Sequence, residues 1–77
     1  MHSNIIHQYF KKEFQGTKIM VRVNPIHFNG TELTVRENGV VEGRDLDFDQ
    51  EIFDDLITDG FETASPMEFN LYLSGLV

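Results

Sequence analysis

The sequence predicts a small α+β domain spanning residues 1–77, a three-stranded antiparallel meander with one helix before it and two after it, in the order α-β-β-β-α-α. Three observations predict it. Asn-Gly occurs twice, at Asn29-Gly30 and Asn38-Gly39, between runs that alternate apolar and polar residues. Glycine reaches positive φ freely and asparagine at small cost, so each pair marks a tight hairpin turn. Residues 3–14 and 49–59 space their apolar side chains as one face of a helix does, and residues 65–68 carry a helix-start signal.

Taken in order, Ser3 to Phe14 is expected to be helical. Ile6, Tyr9, Phe10 and Phe14 share one face, Ser3 caps it, Lys11 and Lys12 suit its negative end, and Gly16 stops it. Thr17 to Val23 alternates, with Ile19, Val21 and Val23 opposed to Lys18, Met20 and Arg22, as a strand does. Proline donates no hydrogen bond, so Asn24-Pro25 is expected to bend that strand at a sheet edge on its way to the first hairpin. A two-residue loop at Asn29-Gly30 sets Phe28 opposite Thr31 and Ile26 opposite Leu33. At the second turn a three-residue loop, Glu37-Asn38-Gly39 with Gly39 left-handed, pairs Val35 with Val41 and Arg36 with Val40. The apolar phase then shifts between Val41 and Leu46, which predicts a bulge at Gly43.

Asp49 to Asp59 is expected to be a short helix. Ile52, Phe53, Leu56 and Ile57 cluster on one face, Asp49 caps it, and Phe48 with Phe53 form a hydrophobic staple. In the last segment Phe69, Leu71 and Leu73 alternate like a strand, but Ser65-Pro66-Met67-Glu68 has the cap, the first-position proline and the glutamate of a capping box. A helix from Pro66 to Ser74 is therefore expected, with Phe69, Tyr72, Leu73 and Leu76 on one face and Leu71 left off it.

The charge is uneven. Residues 1–41 hold five basic and three acidic side chains, whereas residues 42–77 hold ten acidic ones against Arg44 alone, for a net charge of −7. Such a surface repels phosphates and anionic lipid and attracts basic partners. There is no cysteine, hence no disulfide and no thiolate nucleophile. No apolar run approaches the roughly 20 residues of a membrane helix, and residues 1–14 lack a signal peptide's apolar core. A soluble, cytoplasmic protein is expected. The sequon Asn29-Gly30-Thr31 is accounted for as a hairpin tip, and His2 and His7, five apart, do not share a helical face as metal ligands would.

The run Asp45-Leu46-Asp47-Phe48-Asp49-Gln50-Glu51 spaces carboxylates like the opening of a calcium loop. Gln50 stands where that loop needs glycine, however, and Leu56 where it needs a bidentate glutamate. No nucleophile elbow, phosphate-binding loop or zinc-binding helix motif occurs, and the carboxylates lie on polar faces where nothing raises a pKa for acid–base work. No enzyme, metal or cofactor is expected. The predicted α-β-β-β-α order is shared with double-stranded RNA-binding domains, but the helix after the sheet presents Asp47, Asp49, Glu51, Asp54 and Asp55 where those modules need lysines. Direct nucleic-acid binding is not expected, nor is membrane binding.

The sequence thus points to a small acidic, non-enzymatic protein-interaction module that binds a protein with a basic surface. Its expected contact residues are Asp45, Asp47, Glu51, Asp54, Asp55, Asp59 and Glu62, the apolar Leu71 and Leu76, or both sets. Two other functions follow from the same features: a nucleic-acid mimic that occupies a DNA- or RNA-binding protein, and a self-associating structural subunit with Leu71, Leu76 and Val77 between the copies of a homodimer.

Overall fold

The computed structural model describes residues 6–75. It remains α+β, but the meander with three helices is replaced by one antiparallel sheet of five strands and two helices. The elements are β1 (Gln8–Phe14), β2 (Thr17–Asn24), β3 (Asn29–Val35), β4 (Val41–Asp47), α1 (Ile52–Thr58), β5 (Glu62–Thr63) and α2 (Pro66–Ser74). In space the strands run β4-β3-β2-β1-β5. The chain therefore builds four strands as consecutive hairpins, crosses the sheet through α1, and adds β5 at the far edge.

The largest correction is at the N-terminus, where Gln8–Phe14 is a strand and not a helix. It pairs with β2 from Gln8↔Val23 to Phe14↔Thr17, through a two-residue loop with positive φ at both Gln15 and Gly16, as a primed hairpin turn requires. Gly16 ends no helix. The helical spacing misleads because both faces of β1 are covered: Phe10 packs on one side and Tyr9 on the other. A strand buried on both faces shows no clean alternation.

The first turn also moves. Asn24 pairs with Asn29, so the loop is Pro25-Ile26-His27-Phe28. The Asn24 side chain accepts from the Ile26 and His27 amides at 2.9 and 3.1 Å, and Phe28 takes the positive φ and donates its amide to the Asn24 carbonyl. Asn24-Pro25 is thus the start of a turn, where asparagine and proline each fit, and not a bend in an edge strand. Gly30 lies inside β3 between Val23 and Leu46, and a Cβ there would collide with the Arg22 carbonyl. It is glycine because two backbones approach closely, not because a turn needs it. Ile26 is exposed, so it shares no face with Leu33.

The second turn is as expected: Val35 pairs with Val41, the Arg36 amide donates to the Val40 carbonyl, and Gly39 has φ +86°. The bulge at Gly43 is absent, because the register runs unbroken from Val35↔Val41 through Leu33↔Gly43 to Asn29↔Asp47. No bulge is needed, since Val41 and Leu46 face opposite sides of a sheet that carries a helix on each.

One face holds Phe10, Val21, Val23 and Leu56 with Ile19, Phe48, Ile52, Phe53 and Phe61; the other holds Met20, Leu33 and Phe69 with Tyr9, Ala64, Tyr72 and Leu73. The helices α1 and α2 thus cover opposite faces. The first begins later than expected, after an Asx turn in which Asp49 accepts from the Glu51 amide at 2.9 Å. Ile57 points to solvent, 66% exposed, instead of joining the buried stripe. Lys12, on β1, donates to the Asp59 carbonyl at the end of α1 and so meets the negative pole of the helix from a neighbouring strand.

Helix α2 starts as the capping signal requires, with Ser65 accepting from the Glu68 amide at 3.1 Å and proline in the first turn. The Glu68 carboxylate does not reach back to complete the box. It bonds Lys18 at 2.8 Å and Lys11 at 3.3 Å, tying α2 to β1 and β2. The hydrogen bond from Lys18 holds the Glu68 carboxyl below the usual glutamate range, against an opposing effect of burial, and Glu68 in turn holds the Lys18 ammonium above the usual lysine range. A depressed carboxyl pKa contributes stability that is present above the unfolded value and lost as pH falls through the folded one; a raised lysine pKa contributes stability that is lost as pH rises through its folded value. Glu68→Gln should therefore cost on the order of 1 kcal/mol at neutral pH for this partly exposed pair. In thermal melts the gap from wild type should close below the ordinary glutamate range and again above the ordinary lysine range.

Candidate functional site

The ten acidic residues after Val41 divide into two sets. Glu42 pairs with Arg36, and Glu68 with Lys11 and Lys18. By contrast Asp45, Asp47, Asp49, Glu51, Asp54, Asp55, Asp59 and Glu62 are all exposed, and among the described residues none lies within ion-pair distance of a lysine or arginine. The one basic side chain of this half, Arg44, is committed to Glu32 on β3 at 2.9 Å.

Topology places these carboxylates unevenly. Asp45 and Asp47 share the α2 side of β4, because Asp45 lies opposite Thr31 and Asp47 opposite Asn29. Six residues on, the chain has turned the edge of the sheet, and Asp54, Asp55 and Asp59 project from the solvent side of α1 while Ile52, Phe53 and Leu56 pack inward. Glu51 sits at the junction. The acidic surface is a band that wraps the β4 edge and continues along α1. Glu62 is apart from it on β5, opposite Lys11 at the other edge of the sheet.

Leu71 lies on α2, on the face opposite α1, and is 69% exposed. Met67, one turn earlier, is 74% exposed, which makes an apolar pair on the outer side of α2. Leu76 and Val77 lie outside the described residues, as do Ser3 and His2. One partner surface therefore cannot combine the acidic band on α1 with the apolar stripe of α2 without reaching around the sheet.

Behind Asp45 is a feature that sequence reading does not single out. Thr31, buried in β3, donates to Asp45 Oδ1 at 2.9 Å and accepts from Arg22 Nη2 at 3.4 Å, while the Arg22 guanidinium stacks 5.2 Å from the centre of the Phe69 ring. Arg22, Thr31 and Asp45, with His7, Asn29 and Asp47, line an open polar pocket of about 320 Å³. No sequence signal reveals it, because it joins residues from three strands and the segment before β1. Its chemical effect is to hold the Asp45 carboxylate in one orientation.

Asp45, Asp47 and Glu51 do not converge as a calcium loop would, and among the described residues no three histidine or acidic side chains form a metal-binding group. Among the same residues no helix is long and apolar enough to cross a membrane. Comparison with protein-family models, curated proteins and solved structures finds no match.

Proposed function

We propose that this protein is a binding module that docks a basic surface of another protein against the band formed by Asp45, Asp47, Glu51, Asp54, Asp55 and Asp59. The observation that carries the reading is the division of charge: Lys11, Lys18, Arg36 and Arg44 are paired with Glu32, Glu42 and Glu68 instead of these carboxylates, while Lys12 bonds the Asp59 carbonyl and Arg22 bonds Thr31. Leaving like charges uncompensated costs stability, and a complementary partner recovers it on association. Steering of that kind speeds encounter and weakens as salt rises.

A lysine homopeptide followed by NMR provides the test. Amide shifts concentrated at residues 45–59 and abolished by high salt are expected; shifts spread evenly over the surface, or unaffected by salt, would contradict the band as a contact.

The apolar pair Met67 and Leu71 supports a second reading, self-association through α2. If copies meet there, light scattering should show a dimer that persists in high salt, and Leu71→Asp should return it to a monomer with unchanged circular dichroism. A monomer at all salt concentrations removes this reading and leaves the acidic band.

A further inference from the structure

We propose that β4 is a docking edge at which an extended, lysine- or arginine-bearing segment of a partner protein joins the sheet as an added strand. This rests on the reading of the acidic band and specifies how its partner is held.

Strand β4 is the outermost strand on its side of the sheet, and its seven residues keep one register with β3 throughout. Arg36 donates to Val40, and Phe48 donates to Phe28. Both links fall in the same alternating set of antiparallel pairs, so Glu42, Arg44 and Leu46 turn their backbone groups toward β3. The N–H and C=O groups of Val41, Gly43, Asp45 and Asp47 consequently point away from the sheet. A regular edge without proline or bulge is a template for strand addition.

Charge selects the occupant. A second copy of β4 laid antiparallel over its full length sets Arg44 against Arg44, and shifted to centre on Asp45 or Leu46 it sets Asp45 against Asp45 or against Asp47; like charges across strands are unfavourable. A basic segment meets the reverse situation. Asp45 and Asp47 lie on the same side of β4, so a strand with cationic residues at every second position sets two of them against these carboxylates. Thr31 already holds Asp45 in place, and Arg44 is turned to Glu32.

The test is amide hydrogen exchange and affinity on the full chain, using a peptide of alternating lysine and threonine, its analogue N-methylated at the lysines, and a lysine homopeptide. Slowed exchange at Gly43, Asp45 and Asp47, but not at Glu42 or Arg44, is expected with the alternating peptide. N-methylation should weaken binding by about tenfold or more, since it removes several ladder hydrogen bonds at once. Equal affinity for the methylated peptide, or no alternating protection, overturns the docking edge; if the homopeptide still maps to residues 45–59, the acidic-band reading stands. Failure of all three peptides to bind overturns both.

Discussion

Phe69→Ala is expected to leave the protein largely unfolded at room temperature. Phe69 is fully buried and is the central contact between α2 and the sheet: it packs with Met20 and Leu33, meets the Tyr9 ring edge-on at 5.4 Å, and lies under the Arg22 guanidinium. Truncating a buried phenylalanine costs about 3–5 kcal/mol. The core of a domain of this size, with no cysteine to form a disulfide, supplies only about 3–5 kcal/mol of stability, so the loss is comparable to the whole. Chemical denaturation followed by circular dichroism checks it. Leu71→Ala, on the solvent side of the same helix, should change stability by less than about 0.5 kcal/mol.

The second large effect is expected at Gly30. Replacement by asparagine would be tolerated in a tight turn of the primed type, where asparagine is a preferred residue. Inside β3 the same side chain must displace the Arg22 carbonyl, and forcing atoms into a packed interior costs about 1–3 kcal/mol or more. Gly30→Asn should therefore destabilise by about 3 kcal/mol. Gly39→Asn, at φ +86° with open space around it, should cost less than about 1 kcal/mol. Comparable midpoints for the two variants would contradict the register of β2 with β3.

These two glycines show why part of the fold was legible in the sequence and part was not. The signal Asn38-Gly39 lies between residues that do form a hairpin, and its register followed from pairing Val35 with Val41. The same dipeptide at Asn29-Gly30 belongs to a strand, because the turn had already been made by Asn24-Pro25 with its Asx hydrogen bonds. Local chemistry also decided α2 correctly, since the Ser65 cap outweighs the alternation of Phe69, Leu71 and Leu73. Strand β1 was missed because Tyr9 and Phe10, adjacent in sequence, are packed on opposite faces. Strand β5 has two residues and is defined by its pairing with β1, for which a sequence of that length carries no pattern.

The candidate site was legible to the same depth. Exposure of Asp54 and Asp55 follows from the periodicity of Ile52, Phe53 and Leu56, and the uneven charge is visible in the composition. That Glu62 belongs to the opposite edge, that Leu71 faces away from α1, and that Thr31 and Arg22 stand behind Asp45 depend on strand order. Those facts are non-local, and only the assembled sheet contains them.

The most direct test of the binding reading is the affinity of the lysine homopeptide for two variants that each lose the same number of negative charges. One is Asp47→Asn, Asp54→Asn and Asp55→Asn in the unpaired band; the other is Glu13→Gln, Glu37→Gln and Glu62→Gln elsewhere on the surface, which leaves the partners of Arg36 and Arg44 in place. The band variant is expected to lose about tenfold or more in affinity and most of its salt dependence, while the other changes by no more than about twofold. Equal losses would mean that the peptide responds to net charge alone, and the band would then have no claim to be the binding surface.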